Sequence, residues 1–173
     1  MTSTDLILTM ARNNAWANAR IYDTIAGMDD EAFAAPRPGF FGSLKVTLNH
    51  IRKADLFYLD TLEDGGQGRS VLFTDDIDSA DTLASAQAET DQRLITFCAA
   101  LTPEMLTERR RTERRDCFVT EQIGPMLLHL LQHQIHHRGQ AHTMIMDAGF
   151  APPQLDEFHI DFERHPDAVR YDA

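Results

Sequence analysis

The chain has 173 residues, 43% of them hydrophobic and 25% charged, with a formal net charge of −11. A chain of this length can bury one sizeable core as a single domain over residues 1–173. The acidic balance excludes non-specific nucleic-acid binding, which needs phosphate-neutralising Lys and Arg. No apolar run approaches the ~18–20 residues of a membrane span, and the opening segment has an acid, not a basic stretch, before its short apolar run. Neither membrane attachment nor a secretory signal is expected. Two cysteines, Cys98 and Cys117, are expected to be reduced small hydrophobes, which makes the cytoplasm the expected compartment.

A first helix is expected near residues 4–27. Ile7, Ala11, Asn14, Asn18, Ile21 and Ile25 follow a helical rhythm, Ser3 or Thr4 can cap it, and Gly27 lies near its end. Asn14 and Asn18 put two amides on an otherwise apolar face. They need hydrogen-bond partners, expected at neighbouring helix ends or on a dimer mate. A connector follows from Asp29 to Gly42, broken by Pro36, Pro38, Gly39 and Gly42. Its Phe33, Phe40 and Phe41 are expected to fold back on the bundle or line a pocket mouth.

Ser43 is a plausible N-cap for a second helix reaching about Glu63, largely buried through Leu44, Leu48, Ile51, Leu59 and Leu62. It carries one histidine, His50. Asp75, Asp76 and Asp78 lie in an irregular stretch over 71–80. They lack the central Gly and terminal Glu of a calcium loop, so they read as ordinary acidic surface. Ser79 or Asp81 can cap a third helix to about Leu101, with an inner stripe that includes Leu83, Gln87, Thr90 and Leu94. Residues 109–119 suggest a short extended ribbon. Its arginines, Arg109, Arg110, Arg111, Arg114 and Arg115, read first as a solvated face. The other reading is docking of an anionic substrate or thiol cofactor.

A fourth helix opens at Thr120 or at Gly124-Pro125 and stops at Asp147-Ala148-Gly149. Five of the chain's eight histidines fall between His129 and His142. Residues four apart lie about 40° apart on one helical face, so His129, His133 and His137 share a side, with His136 on the flank. His142 projects roughly opposite His133 and His137 and is not expected to share a metal with them. Imidazoles at i and i+4 can converge on one ion at about 2.0–2.1 Å. With His50 they would supply three ligands from two helices, a normal way to build a metal site in a bundle. The spacing matches H-E-x-x-H proteases only in its histidines. Gln134 stands where their general-base Glu would be, so peptidase chemistry is not expected. Gly139, in mid-helix, is expected where another helix or a ligand approaches closely. The tail from Gln154 to Ala173 is expected to pack through Leu155, Phe158 and Phe162, with His159 and His165 as non-ligands.

Asn14-x-Trp16-x-Asn18, Asn49-His50-Ile51, His133-x-x-x-His137-Arg138-Gly139-Gln140 and Gly149-x-x-Pro152 together resemble the DinB/YfiT-like family of metalloenzymes, damage-inducible four-helix-bundle proteins. The resemblance covers nearly the whole chain. It implies an all-α, up-down-down-up four-helix bundle with the irregular or β-ribbon insertion before the last helix, and a homodimer. It also implies a divalent metal on His50, His133 and His137. Imidazole donors suit zinc or nickel first, with iron or manganese as further options. Three neutral imidazoles leave a coordination position open, the mark of a catalytic site. The expected function is a metal-dependent enzyme, a thiol-dependent S-transferase or a small-molecule hydrolase, with a low-molecular-weight thiol as a further cofactor. His129 is the candidate proton relay. The alternative is a non-catalytic metal-binding stress-response protein.

Overall fold

The computed structural model describes residues 1–156. The expectations for Phe158, Phe162, His159 and His165 lie outside the described residues. Four long helices make the bundle: α1 (Ser3–Thr24), α3 (Leu44–Leu62), α4 (Ala80–Ala99) and α5 (Ile123–Asp147). A one-turn helix, α2 (Asp30–Ala34), interrupts the first connector. The strands β1 (Arg109–Glu113) and β2 (Phe118–Gln122) pair antiparallel before α5, with Arg111 opposite Thr120.

Local chemistry sets the helix ends. The cap of α1 is Thr2, not Ser3 or Thr4. Its hydroxyl accepts from the Asp5 N–H at 3.1 Å, and the Asp5 carboxylate accepts from the Thr2 N–H at 2.7 Å. This reciprocal box needs an acceptor three residues after the cap, and Asp5 supplies it only to Thr2. Ser43 and Ser79 cap α3 and α4 as expected, accepting from Val46 N–H and Thr82 N–H. Gly42, at φ +76°, makes the turn that delivers Ser43 to its cap. The ribbon runs three residues past its expected end, so Thr120 lies in β2 and α5 begins at Ile123 with Pro125 in its first turn. The helix α2 was not expected because a single turn carries no period, and only Phe33 of its five residues is buried.

Packing gives the direction of each helix. One apolar cluster joins Ile7 and Ala11 of α1, Leu59 and Leu62 of α3, Leu94 and Cys98 of α4, and Ile123 to Leu130 of α5. A second joins Ile21 and Ile25, Leu44 and Leu48, Ala80 and Leu83, and Ala141 to Ile145. The start of α1 and the start of α5 thus share an end with the finish of α3 and the finish of α4. That is the up-down-down-up arrangement. Burying a core Leu or Ile side chain is worth roughly 1.5–3 kcal/mol, and these two clusters supply most of the fold's driving force. Cys98 is buried, Cys117 is exposed, and both are free thiols. Among the described residues no helix is long and apolar enough to cross a membrane.

Candidate metal centre and the buried polar layer

Between the two apolar clusters lies a layer of buried polar side chains drawn from all four long helices. Asn14 and Asn18 come from α1, Asp55 from α3, Gln87 and Asp91 from α4, and Gln134 and Arg138 from α5, and each is at most 4% exposed. Asn14 and Asn18 donate to Asp91 at 3.2 and 3.0 Å. Gln87 donates to both Asp55 and Asp91, at 2.8 and 3.0 Å. Gln134 donates to the other Asp55 oxygen. Arg138 donates to Asn14 and Asn18 and, at 3.3 Å, to Gln134 Oε1. The Asn14 and Asn18 amides therefore find their partners in the middle of neighbouring helices, not at helix ends.

The layer holds two carboxylates and one guanidinium. Burial pushes Asp55 up to about 7, helped by the nearby Asp91 charge and opposed by the Gln87 and Gln134 hydrogen bonds and by Arg138. Burial likewise lifts Asp91 to about 6 against the Asn18, Gln87 and Asn14 bonds and Arg138. Burial pulls Arg138 down to about 10, while Asp55 and Asp91 hold it up.

One step around α5 from Gln134 and Arg138 stand His133 and His137. They face α3, whose His50 meets them. The ligand-capable nitrogens of His50, His133 and His137 lie within 4.8 Å of one another. His50 Nε2 and His133 Nε2 are 3.0 Å apart. Two nitrogens on one tetrahedral ion at 2.0–2.1 Å would be about 3.3–3.4 Å apart, so the pair is within a few tenths of ångströms of a shared site. His137 Nδ1 pairs with Gln140 Oε1 at 2.8 Å, which places a proton on Nδ1 and leaves the Nε2 lone pair for a ligand. Burial lowers His50 to about 4, with the His137 and Lys53 charges adding to it. Burial and the surrounding imidazoles lower His133 to about 3. His137 is lowered too, by burial first, with the Gln140 bond opposing. All three are neutral at pH 7, the form a metal needs. The donor set fits a divalent transition ion.

Phe41 walls the triad, its ring 4.3 Å from that of His50 and 5.3 Å from that of His137. Phe40 packs edge-on against Phe41 but is 78% exposed. The fold-back expected of the aromatic connector is thus seen, with Phe33 fully buried beneath it. His129 is not in the triad. Its ring lies 6.3 Å from that of His133 and 5.4 Å from that of Tyr58. His136 is exposed and pairs with Gln140 at 3.2 Å. His142 turns away, as expected, and pairs with the Pro153 carbonyl at 3.1 Å. Gly139 departs from expectation: a Cβ there would meet nothing within 4 Å among the described residues, because it lies on the outer groove between α1 and α5. The acids of 75–78 are ordinary surface, with Asp76 and Asp78 paired to Lys53 and Lys45.

Asn49, beside His50, pins the segment ahead of α4. Its carbonyl oxygen accepts from Ile77 N–H at 2.8 Å, and its amide donates to Ile77 O at 2.9 Å. Asp55 and Asp91 escaped the sequence reading. The available signal was a lone acid inside each buried stripe, one beside Ala54 and one four residues after Gln87.

Fold and site together define a four-helix-bundle protein with a three-histidine cluster between two antiparallel helices. The chain belongs to the DinB family, whose sequence profile matches residues 1–166. A DinB-like protein from Bacillus cereus shares the fold, with a TM-score of 0.69 at 20% identity, over 86% of this chain and 94% of that one. The DinB-like protein YjoA of Bacillus subtilis superposes with a TM-score of 0.62 at 16% identity, over 87% and 96% of the two chains. No functionally curated protein matches the sequence.

Proposed function

We propose that this protein is a metal-dependent enzyme that holds one divalent transition ion, zinc or nickel before iron or manganese, on His50, His133 and His137. The convergence of three neutral imidazoles within 4.8 Å carries the reading. Among the described residues no carboxylate or thiol joins them to close the coordination sphere. An ion held there supplies Lewis acidity to whatever occupies its open position, lowering the pKa of a water or a small thiol. The chain's own residues do the rest. Gln140 holds the His137 tautomer, Phe41 shields one side of the triad, and Phe40 offers an exposed apolar surface beside Phe41. His129, one turn before His133 with its ring 6.3 Å away, would pass protons to solvent. The reaction class we favour is thiol-dependent S-transfer, with small-molecule hydrolysis second.

The same reading includes a cytoplasmic homodimer. Leu128, Ile135 and Met146 are more than half exposed. Their spacing of 7 and 11 residues puts them on one stripe of α5 with Gly139, which leaves room for a close partner helix. Sedimentation of the purified chain tests this part.

Elemental analysis of tag-free protein purified without added metal tests the centre. Close to one transition metal per chain supports it and directs a screen of thiols with electrophiles. A tightly metallated protein that turns over no thiol–electrophile pair or hydrolysable ester points instead to a non-catalytic stress-response protein. No metal uptake on titration refutes the centre.

A further inference from the structure

The proposed metal site has a neighbour, reached through His129. A cavity of about 370 Å³ opens one helical turn before His133, lined by Tyr58, Arg114, Glu121, Pro125, Met126 and His129. Three elements meet there. α3 supplies Tyr58, α5 supplies Pro125, Met126 and His129, and the β1–β2 hairpin supplies Arg114 and Glu121. The hairpin turn is closed by the Arg114 N–H donating to Cys117 O at 2.8 Å, which fixes where the arginine leaves the backbone.

Three of the other arginines of the ribbon are engaged elsewhere, Arg109 by donating to Thr120 O at 3.3 Å. Arg110 donates to Leu62 O and pairs with Asp64. Arg111 lies over the Phe118 ring at 3.7 Å. Arg114 is the arginine of that cluster brought into the cavity beside the triad. Its Nη2 donates to Glu121 Oε2 at 2.5 Å, an interaction that orients the guanidinium. A guanidinium carries five N–H donors, of which Glu121 Oε2 and the Tyr58 oxygen each take one. Burial opposes the charge of Arg114, but the bonds it donates to Tyr58 and Glu121 outweigh it, so the group stays cationic. On a chain of net charge −11 such a pocket has a definite use. The general field repels anions, and an anion reaches the metal only where a local cation receives it.

Resting on the metal-centre reading above, we infer that this cavity is the acid-group subsite of the enzyme: its substrate carries a carboxylate that Arg114 binds, with Tyr58 and His129 flanking it, while the reacting end reaches the triad. His129, which lines the cavity, stands four residues or about 6 Å of helical rise before His133, so a thiol with four or five bonds between sulfur and carboxylate is the length to test. Phe41, packed against His50 and His137, is not among the residues lining this cavity and takes no part in this recognition.

The test uses two thiols of one length on the cobalt(II)-loaded protein, 4-mercaptobutyrate and its neutral counterpart 4-mercapto-1-butanol, followed by the thiolate-to-cobalt absorption band. The acid should bind about tenfold or more tightly, the size of one charge-assisted hydrogen bond. Arg114→Met should erase that preference and leave the affinity for mercaptobutanol unchanged. Glu121→Gln should enlarge the preference, because it removes the competing carboxylate. Equal affinities in the unaltered protein, or a preference that survives Arg114→Met, overturn the subsite. If no cobalt is taken up, the centre itself has failed. The subsite is then judged on the metal-free protein by the Arg114 Nε–H resonance during titration with butyrate. A saturating shift supports the subsite, and no shift overturns it.

Discussion

Replacing Arg138 by Met tests the buried polar layer most directly. Arg138 is 4% exposed and is the one cation among the seven side chains that fill the plane between the two apolar clusters. Met keeps most of the length and removes every donor. Asn14 Oδ1, Asn18 Oδ1 and Gln134 Oε1 each lose a donor, and Asp55 and Asp91 lose the positive charge that opposes their burial. Breaking a buried charge network from one side costs about 3–5 kcal/mol, a large fraction of the roughly 5–15 kcal/mol that holds a domain folded. The loss should depend on pH, and its sign follows from the two acids. Both have folded-state pKa values above the ordinary carboxylate value of 3.8, Asp55 at about 7 and Asp91 at about 6. Their burial is therefore least costly below pH 4, grows costlier from pH 4 upward, and reaches its full cost once pH has passed 6 and 7. Without Arg138 both values rise further. The difference between variant and parent is then largest at pH 8 and smaller at pH 5, by at least about 1 kcal/mol, the equivalent of roughly one pKa unit. Urea unfolding of both metal-free proteins at the two pH values, at one ionic strength, measures it. A deficit under about 1 kcal/mol at pH 8, or one of equal size at both pH values, refutes the account of a charged layer.

The remaining predictions concern the metal centre. His50→Ala and His137→Ala should each abolish stoichiometric metal while leaving far-UV circular dichroism unchanged, and His142→Ala should leave metal content as it was. Retention of metal by both of the first two variants would mean the ligands are misassigned. Gln140→Leu leaves the three histidines in place but removes the acceptor for His137 Nδ1–H; metal affinity should fall 10- to 100-fold in competition with a chelator. His50 and His133 are held down at about 4 and about 3. Protons should therefore compete for these two ligands only near pH 4, and with His137 lowered as well the site should keep its metal on dialysis to a lower pH than free imidazole does.

The parts of the fold legible in the sequence are those governed by short-range chemistry. Ser43 and Ser79 announce the starts of α3 and α4, and Pro125 announces the first turn of α5. The helical period alone places His133 beside His137 and turns His142 away. His50 entered as the single histidine of its helix, and the antiparallel packing of α3 on α5 brings it to within 3.0 Å of His133. Partnerships across the bundle were not legible in this way. Asn14 and Asn18 were visible as amides in need of partners, yet nothing local to them names Asp91, 77 and 73 positions away, or Arg138. The five arginines of the ribbon looked alike in sequence. The two-residue period of the strands and the hairpin turn separate Arg114, at the cavity, from Arg111, over Phe118. Gly139 misled because a helical glycine signals room without saying on which side of the bundle the room lies.

His50 and His133 stand 83 positions apart in the chain, and that separation sets an order of events during biosynthesis. A chain emerging from the ribosome displays His50 long before α5 exists. Until the last long helix is made, the cell can offer the nascent protein a metal but the protein has only one imidazole to hold it. Even in the completed but unfolded chain, drawing His50 to the local His133–His137 pair costs about 4–5 kcal/mol in loop-closure entropy by the relation for cross-links of that span. A metal would thus meet two ligands in the unfolded chain and three in the folded one. Loading of the proposed ion would then be a late, post-translational event that discriminates finished molecules from unfinished ones, and a bound ion would certify that α3 and α5 have come together.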